Sequence, residues 1–239
     1  MYMKSFVSLV SNGEYSIGCT GQTVYVFDKC GAEIAKFKDL PYAYDCAISP
    51  KGNVFVVKTT EGRLAVYSLD EMRLVKKFRF STVDEMQDDN FCFSPDGEEF
   101  YNIERHTDGC KTALSVYDTK DFSIKKRLFS EDTDMMLSCV EISGGEIYLL
   151  GFFRKSKTGI FGKKQIGAAE KFFIAKLVGD EICNIRYISE NDYCFCADYK
   201  KAEFSGFTEE SKRLSGLSEE KLIDAYNCGF SIAQVWGNV

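Results

Sequence analysis

The chain reads as all-β, a single β-propeller of five four-stranded antiparallel blades with a short C-terminal helix, and three observations predict it. The first is a recurring phrase. Ile48-Ser49-Pro50-Lys51-Gly52 precedes the strand-like run Val54–Val57, and Phe93-Ser94-Pro95-Asp96-Gly97 precedes Glu99–Ile103. Weaker copies are Val10-Ser11-Asn12-Gly13, Ile142-Ser143-Gly144-Gly145 and Ile188-Ser189-Glu190-Asn191. The second is spacing: the five serines lie 38, 45, 49 and 46 residues apart, and a period of about 40–50 residues with several short strands per copy is a propeller signature. The third is a repeated strand, Val24–Asp28, Leu64–Ser68 and Leu114–Asp118, each followed by a polar turn and a Lys-bearing strand.

One domain over residues 1–239 follows, with repeats at approximately 6–44, 45–89, 90–136, 137–184 and 185–239. The second repeat is the clearest. Its strands are expected at Asp45–Ser49, Val54–Thr59, Arg63–Ser68 and Leu74–Phe80, separated by turns at 50–53, 60–62 and 69–71. Glycines in these turns supply the positive φ that tight turns need. The Lys-bearing fourth strands, Ile34–Lys38, Leu74–Phe80 and Ser123–Phe129, read as outer edges protected from stray pairing.

The fourth repeat departs from the pattern. After the strand Glu146–Phe153 comes a Gly- and Lys-rich insertion over 154–167, and Lys171–Leu177 is the next clear strand. Either the insertion hides a short strand or this blade has three. The fifth repeat is expected to place strands at Ile185–Ser189, Tyr193–Ala197 and Ala202–Phe207. A helix follows near 218–228, with Ser218 as cap and Glu219 and Glu220 in its first turn. Phe230–Trp236 reads as a final strand that, with or instead of residues 1–6, closes the ring.

Composition narrows the function classes. A net charge of −6 argues against a chain built to coat nucleic acid. The ten cysteines include no Cys-x-x-Cys pair and there is one His, so neither a zinc framework nor any other Cys/His metal site is expected. Cys19, Cys46, Cys92, Cys139, Cys194 and Cys196 fall in expected strands and read as buried reduced thiols. The N-terminal apolar run is too short for a signal peptide, and nothing approaches the ~20 apolar residues of a membrane helix. The expected location is cytoplasmic, away from membranes, and no cofactor fingerprint is present.

The Ser-Pro-Asp-Gly turns and the repeated Val-Tyr strands resemble those of WD-repeat and related cytoplasmic propellers, over about residues 6–207. That resemblance implies a propeller fold. The Gly-His and Trp-Asp dipeptides of WD repeats are absent, the only Trp being Trp236 and the only His being His106, so their hydrogen-bond network is not carried over.

In a propeller the loops from strand four to strand one and from strand two to strand three share a face, and loops on a rigid scaffold carry function. This face is expected to gather Tyr42, Tyr44 and Asp45; Asp84, Asp88 and Asp89; His106; Asp132 and Asp134; and the basic Arg154, Lys155, Lys157, Lys163 and Lys164. The acids have three readings: a solvated rim meeting a basic protein, a hard-cation site, or a carboxylate pair for glycoside hydrolysis. No Asp-x-Asp-x-Asp-Gly loop is present. The basic insertion lacks the Gly-x-x-x-x-Gly-Lys-Ser/Thr cradle and reads as a solvated hairpin or a contact for an acidic protein, nucleic acid or lipid headgroup. His106 has no nucleophile assigned to it, whereas Tyr42 and Tyr44, beside Pro41, suit an interface anchor. The resulting expectation is a non-catalytic scaffold or sensor module that binds a protein partner through this face. The alternatives are a glycoside hydrolase or glycan-binding propeller, and nucleic-acid or phosphate binding through 154–171.

Overall fold

The computed structural model describes residues 6–79, 90–105, 111–155, 157–158, 164–165, 167–190, 192–193, 232 and 236–237, with only the backbone of 157–158 and 164–165. Among the described residues, four sheets of four antiparallel strands form blades. The first holds β1 (Ser8–Ser11), β2 (Tyr15–Cys19), β3 (Val24–Asp28) and β4 (Glu33–Phe37), paired in chain order. The second holds β5 (Ala43–Ile48), β6 (Val54–Thr59), β7 (Arg63–Ser68) and β8 (Arg73–Arg79). The third holds β9 (Phe91–Phe93), β10 (Glu99–Arg105), β11 (Thr112–Asp118) and β12 (Ile124–Leu128). The fourth is interrupted: β13 (Met135–Ser143) and β14 (Glu146–Arg154) are followed by a separate two-stranded hairpin, β15 (Lys157–Thr158) and β16 (Lys164–Gln165). The blade then resumes with β17 (Ala169–Val178) and β18 (Glu181–Ile188).

The recurring phrase makes the turn after each first strand. Ser94 Oγ accepts the Glu99 N–H and donates to Asp96 Oδ1, while the Gly97 N–H bonds the Ser94 carbonyl. Gly97 sits at φ +66°, and a Cβ there would lie 3.1 Å from Lys51 and 3.3 Å from Ser49 Oγ, so both conformation and space call for glycine.

First strands lie beside one another, β1 by β5, β5 by β9 and β9 by β13, so they line the axis of the assembly. The core is a series of layers between blades. Ile17, Cys19, Val26, Phe55, Val57 and Tyr67 fill the first interface. Val56, Val66, Phe93, Phe100 and Tyr117 fill the second, and Ile103, Val116, Leu137, Leu149 and Phe173 the third. Each fully buried Leu or Phe contributes roughly 1.5–3 kcal/mol. Aromatic contacts add direction: Phe55 and Tyr67 stack with ring centres 4.9 Å apart. Cys19 and Cys46 are buried in the first of these layers, and Cys139 is buried on the far face of the fourth blade, as small apolar side chains would be.

Lysines of the fourth strands do more than guard an edge. Lys76 Nζ donates to the Asp121 and Phe122 carbonyls of the next blade, Lys126 pairs with Asp180 of the blade after that, and Lys77 donates to the Asp39 carbonyl. The outer strands of these blades are thereby stitched to their neighbours.

Two expectations for the C-terminal half are corrected. The fourth blade has four strands, because the 154–167 insertion is an added hairpin and hides no blade strand. Its outermost strand is Glu181–Ile188, hydrogen-bonded to β17, so residues 185–188 end the fourth blade and do not open a fifth. The extra hairpin had shifted the repeat boundary. Tyr193, Ile232 and Trp236 have helical backbone, so no strand runs through them as expected at 193–197 and 230–236. The expected strand at 202–207 and helix near 218–228 lie outside the described residues.

Burial, reinforced by Asp39, Glu99 and Glu104 respectively, raises the phenols of Tyr67, Tyr101 and Tyr117 far above the ordinary 10. Burial lifts Glu99, but hydrogen bonds from Lys125 and Tyr101 outweigh it and hold its carboxyl below the ordinary 4.5. The raised phenols contribute stability that is complete below the unfolded tyrosine value and lost as pH rises through and beyond it. The depressed carboxyl contributes stability that is complete above 4.5 and lost as pH falls through its lower folded value. The Cys19 thiol, raised by its hydrogen bond with Cys46 and by burial, begins to cost stability as pH rises through the ordinary thiol range, before the phenols do. The urea midpoint is therefore expected to be flat between about pH 5 and 8 and to fall on both sides. Equilibrium unfolding across that range checks it.

Candidate functional site

Backbone contacts bring the four-to-one and two-to-three loops onto one face. The Gly21 N–H bonds the Ala43 carbonyl at 3.0 Å, and the Thr60 N–H bonds the Tyr42 carbonyl at 3.2 Å. The loop between β4 and β5 is thus held from both sides. Further round, Lys111 pairs with Glu131 at 3.0 Å, and the Arg154 N–H bonds the Asp134 carbonyl at 2.7 Å.

Tyr42 is the most exposed of the described aromatic side chains in these loops, at 58%. Its φ is +60°, a left-handed conformation unusual for a bulky residue. Such backbone costs about 1–3 kcal/mol and persists only where the surroundings enforce it; here the Thr60 hydrogen bond and the seating of Leu40 and Ala43 in the core do so. The ring is held out to solvent by a fixed backbone. Tyr44, half-buried, lies within β5.

Of the expected acids, Asp45 turns inward. Its Oδ1 accepts the Ser8 hydroxyl at 2.9 Å and the Cys46 N–H at 2.8 Å, tying β5 to β1. Asp132 caps its own loop, accepting the Asp134 and Met135 N–H groups at 2.9 Å. Asp134 accepts the Thr133 hydroxyl at 3.4 Å. Asp132 and Asp134 stand beside the start of the basic insertion, where the Arg154 guanidinium lies 5.9 Å from the Phe152 ring and Lys155 pairs with Glu170 at 3.4 Å. At the insertion's base, a Cβ on Gly167 would fall 1.7 Å from the Lys155 carbonyl oxygen, so only glycine lets the two arms close. Lys157 and Lys164 lie in the hairpin strands, paired with Gln165 and Thr158. Asp84, Asp88, Asp89, His106 and Lys163 lie outside the described residues. The described contacts form two groups, one around Tyr42 and one around Asp132, Asp134 and Arg154. Among the described residues, no three His, Cys, Asp or Glu side chains gather as a metal would require.

Sequence reasoning missed a polar chain buried between the second and third blades. Glu104, its side chain 3% exposed, pairs with Arg127 at 2.9 Å and accepts the Tyr117 hydroxyl at 2.6 Å. Arg127 Nε also donates to Ser115 Oγ at 3.1 Å. In the same layer lies Lys58, fully buried, with Nζ 2.7 Å from the Ile103 carbonyl. The signal available was a charge within an apolar strand, as in Val56-Val57-Lys58 and Ile103-Glu104.

No family model matches the chain, and no curated protein matches it. Solved structures do. One described as Kuenenia stuttgartiensis hydrazine synthase aligns with a TM-score of 0.58 at 15% identity, over 80% of this chain and 51% of that one. U3-55K aligns at 0.53 and 9% identity, over 78% and 53%. The Neurospora crassa Pan2 WD40 domain aligns at 0.52 and 12% identity, over 75% and 51%. This chain thus spans about half the length of each. Together with the four stacked four-stranded sheets, these likenesses define a β-propeller fold. Two of these neighbours are thus propellers or WD40 domains by fold, whereas this chain lacks the Gly-His and Trp-Asp dipeptides that mark WD repeats. Among the described residues no helix is long and apolar enough to cross a membrane.

Proposed function

We propose that this chain is a non-catalytic, cytoplasmic protein-interaction scaffold that binds its partner through the face carrying Tyr42. The observation that supports this reading best is Tyr42 itself: a large, exposed ring on strained backbone that neighbouring loops hold in place. A tyrosine offered this way loses little entropy on binding and suits the centre of an interface. Asp132, Asp134 and Lys155 supply charges further round the same face, where they set orientation and encounter rate more than affinity. Asp84, Asp88, Asp89, His106 and the remaining insertion lysines belong to the proposed rim.

Quantitative affinity capture from cell lysate, followed by mass spectrometry, tests the reading. Wild-type chain is compared with Tyr42→Ala and with a variant carrying Tyr42→Ala, Tyr44→Ala, Asp88→Lys and Asp132→Lys. The expected result is one protein captured by wild type, weakened about 30-fold by Tyr42→Ala, as an interfacial anchor worth ~2 kcal/mol requires, and lost with the fourfold variant. Equal capture by folded wild type and fourfold variant would remove the loop face from consideration.

A further inference from the structure

The face of the fourth blade turned away from the third holds two residues from the far end of the chain. Ile232, 2% exposed, packs in a cluster with Cys139, Tyr148, Leu150 and Ile174, and Trp236 packs against that cluster. The Ile232 N–H bonds Glu141 Oε2 at 2.7 Å. Arg186 lies 4.1 Å from the Trp236 ring centre and donates to the Trp236 carbonyl at 2.6 Å. Tyr148 meets the indole edge-on at 5.9 Å, and Lys176 Nζ lies 5.3 Å from it. Both residues have helical backbone and are four positions apart in sequence.

Arg186 also occupies a repeated position. Lys76 and Lys126, likewise in outermost strands, reach the element next in the ring: the Asp121 and Phe122 carbonyls for one, the Asp180 carboxylate for the other. On the fourth blade that next element is the C-terminal segment itself. The two residues are gripped at both side chains, one backbone N–H and one backbone carbonyl, and the indole faces two cations, Arg186 and Lys176.

We infer that this face is a peptide-recognition surface for a short segment bearing an aliphatic residue and a tryptophan four positions apart. Its resident ligand is the chain's own Ile232 and Trp236. Cys139, Leu150 and Ile174 form the aliphatic slot, Tyr148, Lys176 and Arg186 the indole slot, and Glu141 holds the backbone N–H. This surface is separate from the Tyr42 face, so either assignment stands or falls alone.

The test uses a fluorescein-labelled peptide of residues 228–239, titrated onto the full chain carrying Ile232→Ala and Trp236→Ala. Circular dichroism confirms the fold. A saturable anisotropy change is expected, at least tenfold weaker when Arg186→Ala or Glu141→Ala is added, and weaker on wild type, whose slot is filled. No saturable binding to the folded double variant, or binding indifferent to Arg186 and Glu141, overturns the inference. Native-state hydrogen exchange of wild type decides the matter if the double variant does not fold. An Ile232 amide exchanging at least tenfold faster than that of Leu150 supports a separable segment, and equal exchange overturns it.

Discussion

Replacing Glu104 by alanine is expected to lower stability by about 3–5 kcal/mol, the usual cost of removing one partner from a buried ion pair. Its carboxylate is nearly sealed from water and takes both the Arg127 guanidinium and the Tyr117 hydroxyl. Alanine leaves the Tyr117 hydroxyl without its partner in the apolar layer of Val56, Val66 and Phe100, and the Arg127 guanidinium, one-third exposed, without its carboxylate. For a domain of this size each kcal/mol shifts the melting temperature by about 2–4 °C, so a fall of about 6–20 °C is expected by calorimetry. Glu104→Gln keeps an oxygen for the phenol and is expected to lose less than half as much. Equal losses for alanine and glutamine would mean that the charge, and not the hydrogen bonding, dominates.

Asn90→Ala is expected to be nearly as damaging, at about 2–4 kcal/mol. The Asn90 side-chain amide imitates a strand: Nδ2 donates to the Val140 carbonyl at 3.1 Å and Oδ1 accepts the Val140 N–H at 2.6 Å. Its backbone N–H also bonds the Ser138 carbonyl at 3.2 Å. Alanine keeps the backbone bond and strips both groups of Val140, which is fully buried and has little access to water in exchange. Asn90→Asp retains the acceptor while burying a charge, so it is expected to be no better than alanine at neutral pH. Urea unfolding checks both, with an unchanged denaturant slope if the ring stays one cooperative unit.

The parts of the fold that sequence makes visible are the local ones. Ser94, Asp96 and Gly97 fold back on one another within a few residues, so their spacing announces the turn and, by repetition, the blade. The third strands are legible for the same reason: Leu64–Ser68 and Leu114–Asp118 alternate against layers that recur. The blade boundary at 185 was misplaced because the hairpin at 157–165 adds length without adding a blade strand, and a count of residues between serines cannot separate the two. Contacts across the ring were not legible. Asn90 meets Val140 fifty residues away, and Ile232 meets Glu141 ninety-one residues away. Nothing local marks such pairs beyond a polar residue in an apolar strand. At the candidate site, the place of Tyr42 in a four-to-one loop is legible in the sequence, whereas its left-handed backbone and the inward turn of Asp45 arise from loops and strands of neighbouring blades.

The central claim is that the Tyr42 face receives a protein partner, and site-specific photo-crosslinking tests it most directly. A benzophenone amino acid is placed at position 42 in one sample and at Ile34, exposed on the outermost strand of the first blade, in another. Irradiation in cells is expected to give a discrete adduct to one protein from position 42 and none from position 34, with the adduct suppressed by untagged wild-type chain in excess. Equal labelling from both positions, or no discrete adduct from 42 in a chain that folds, would contradict the account.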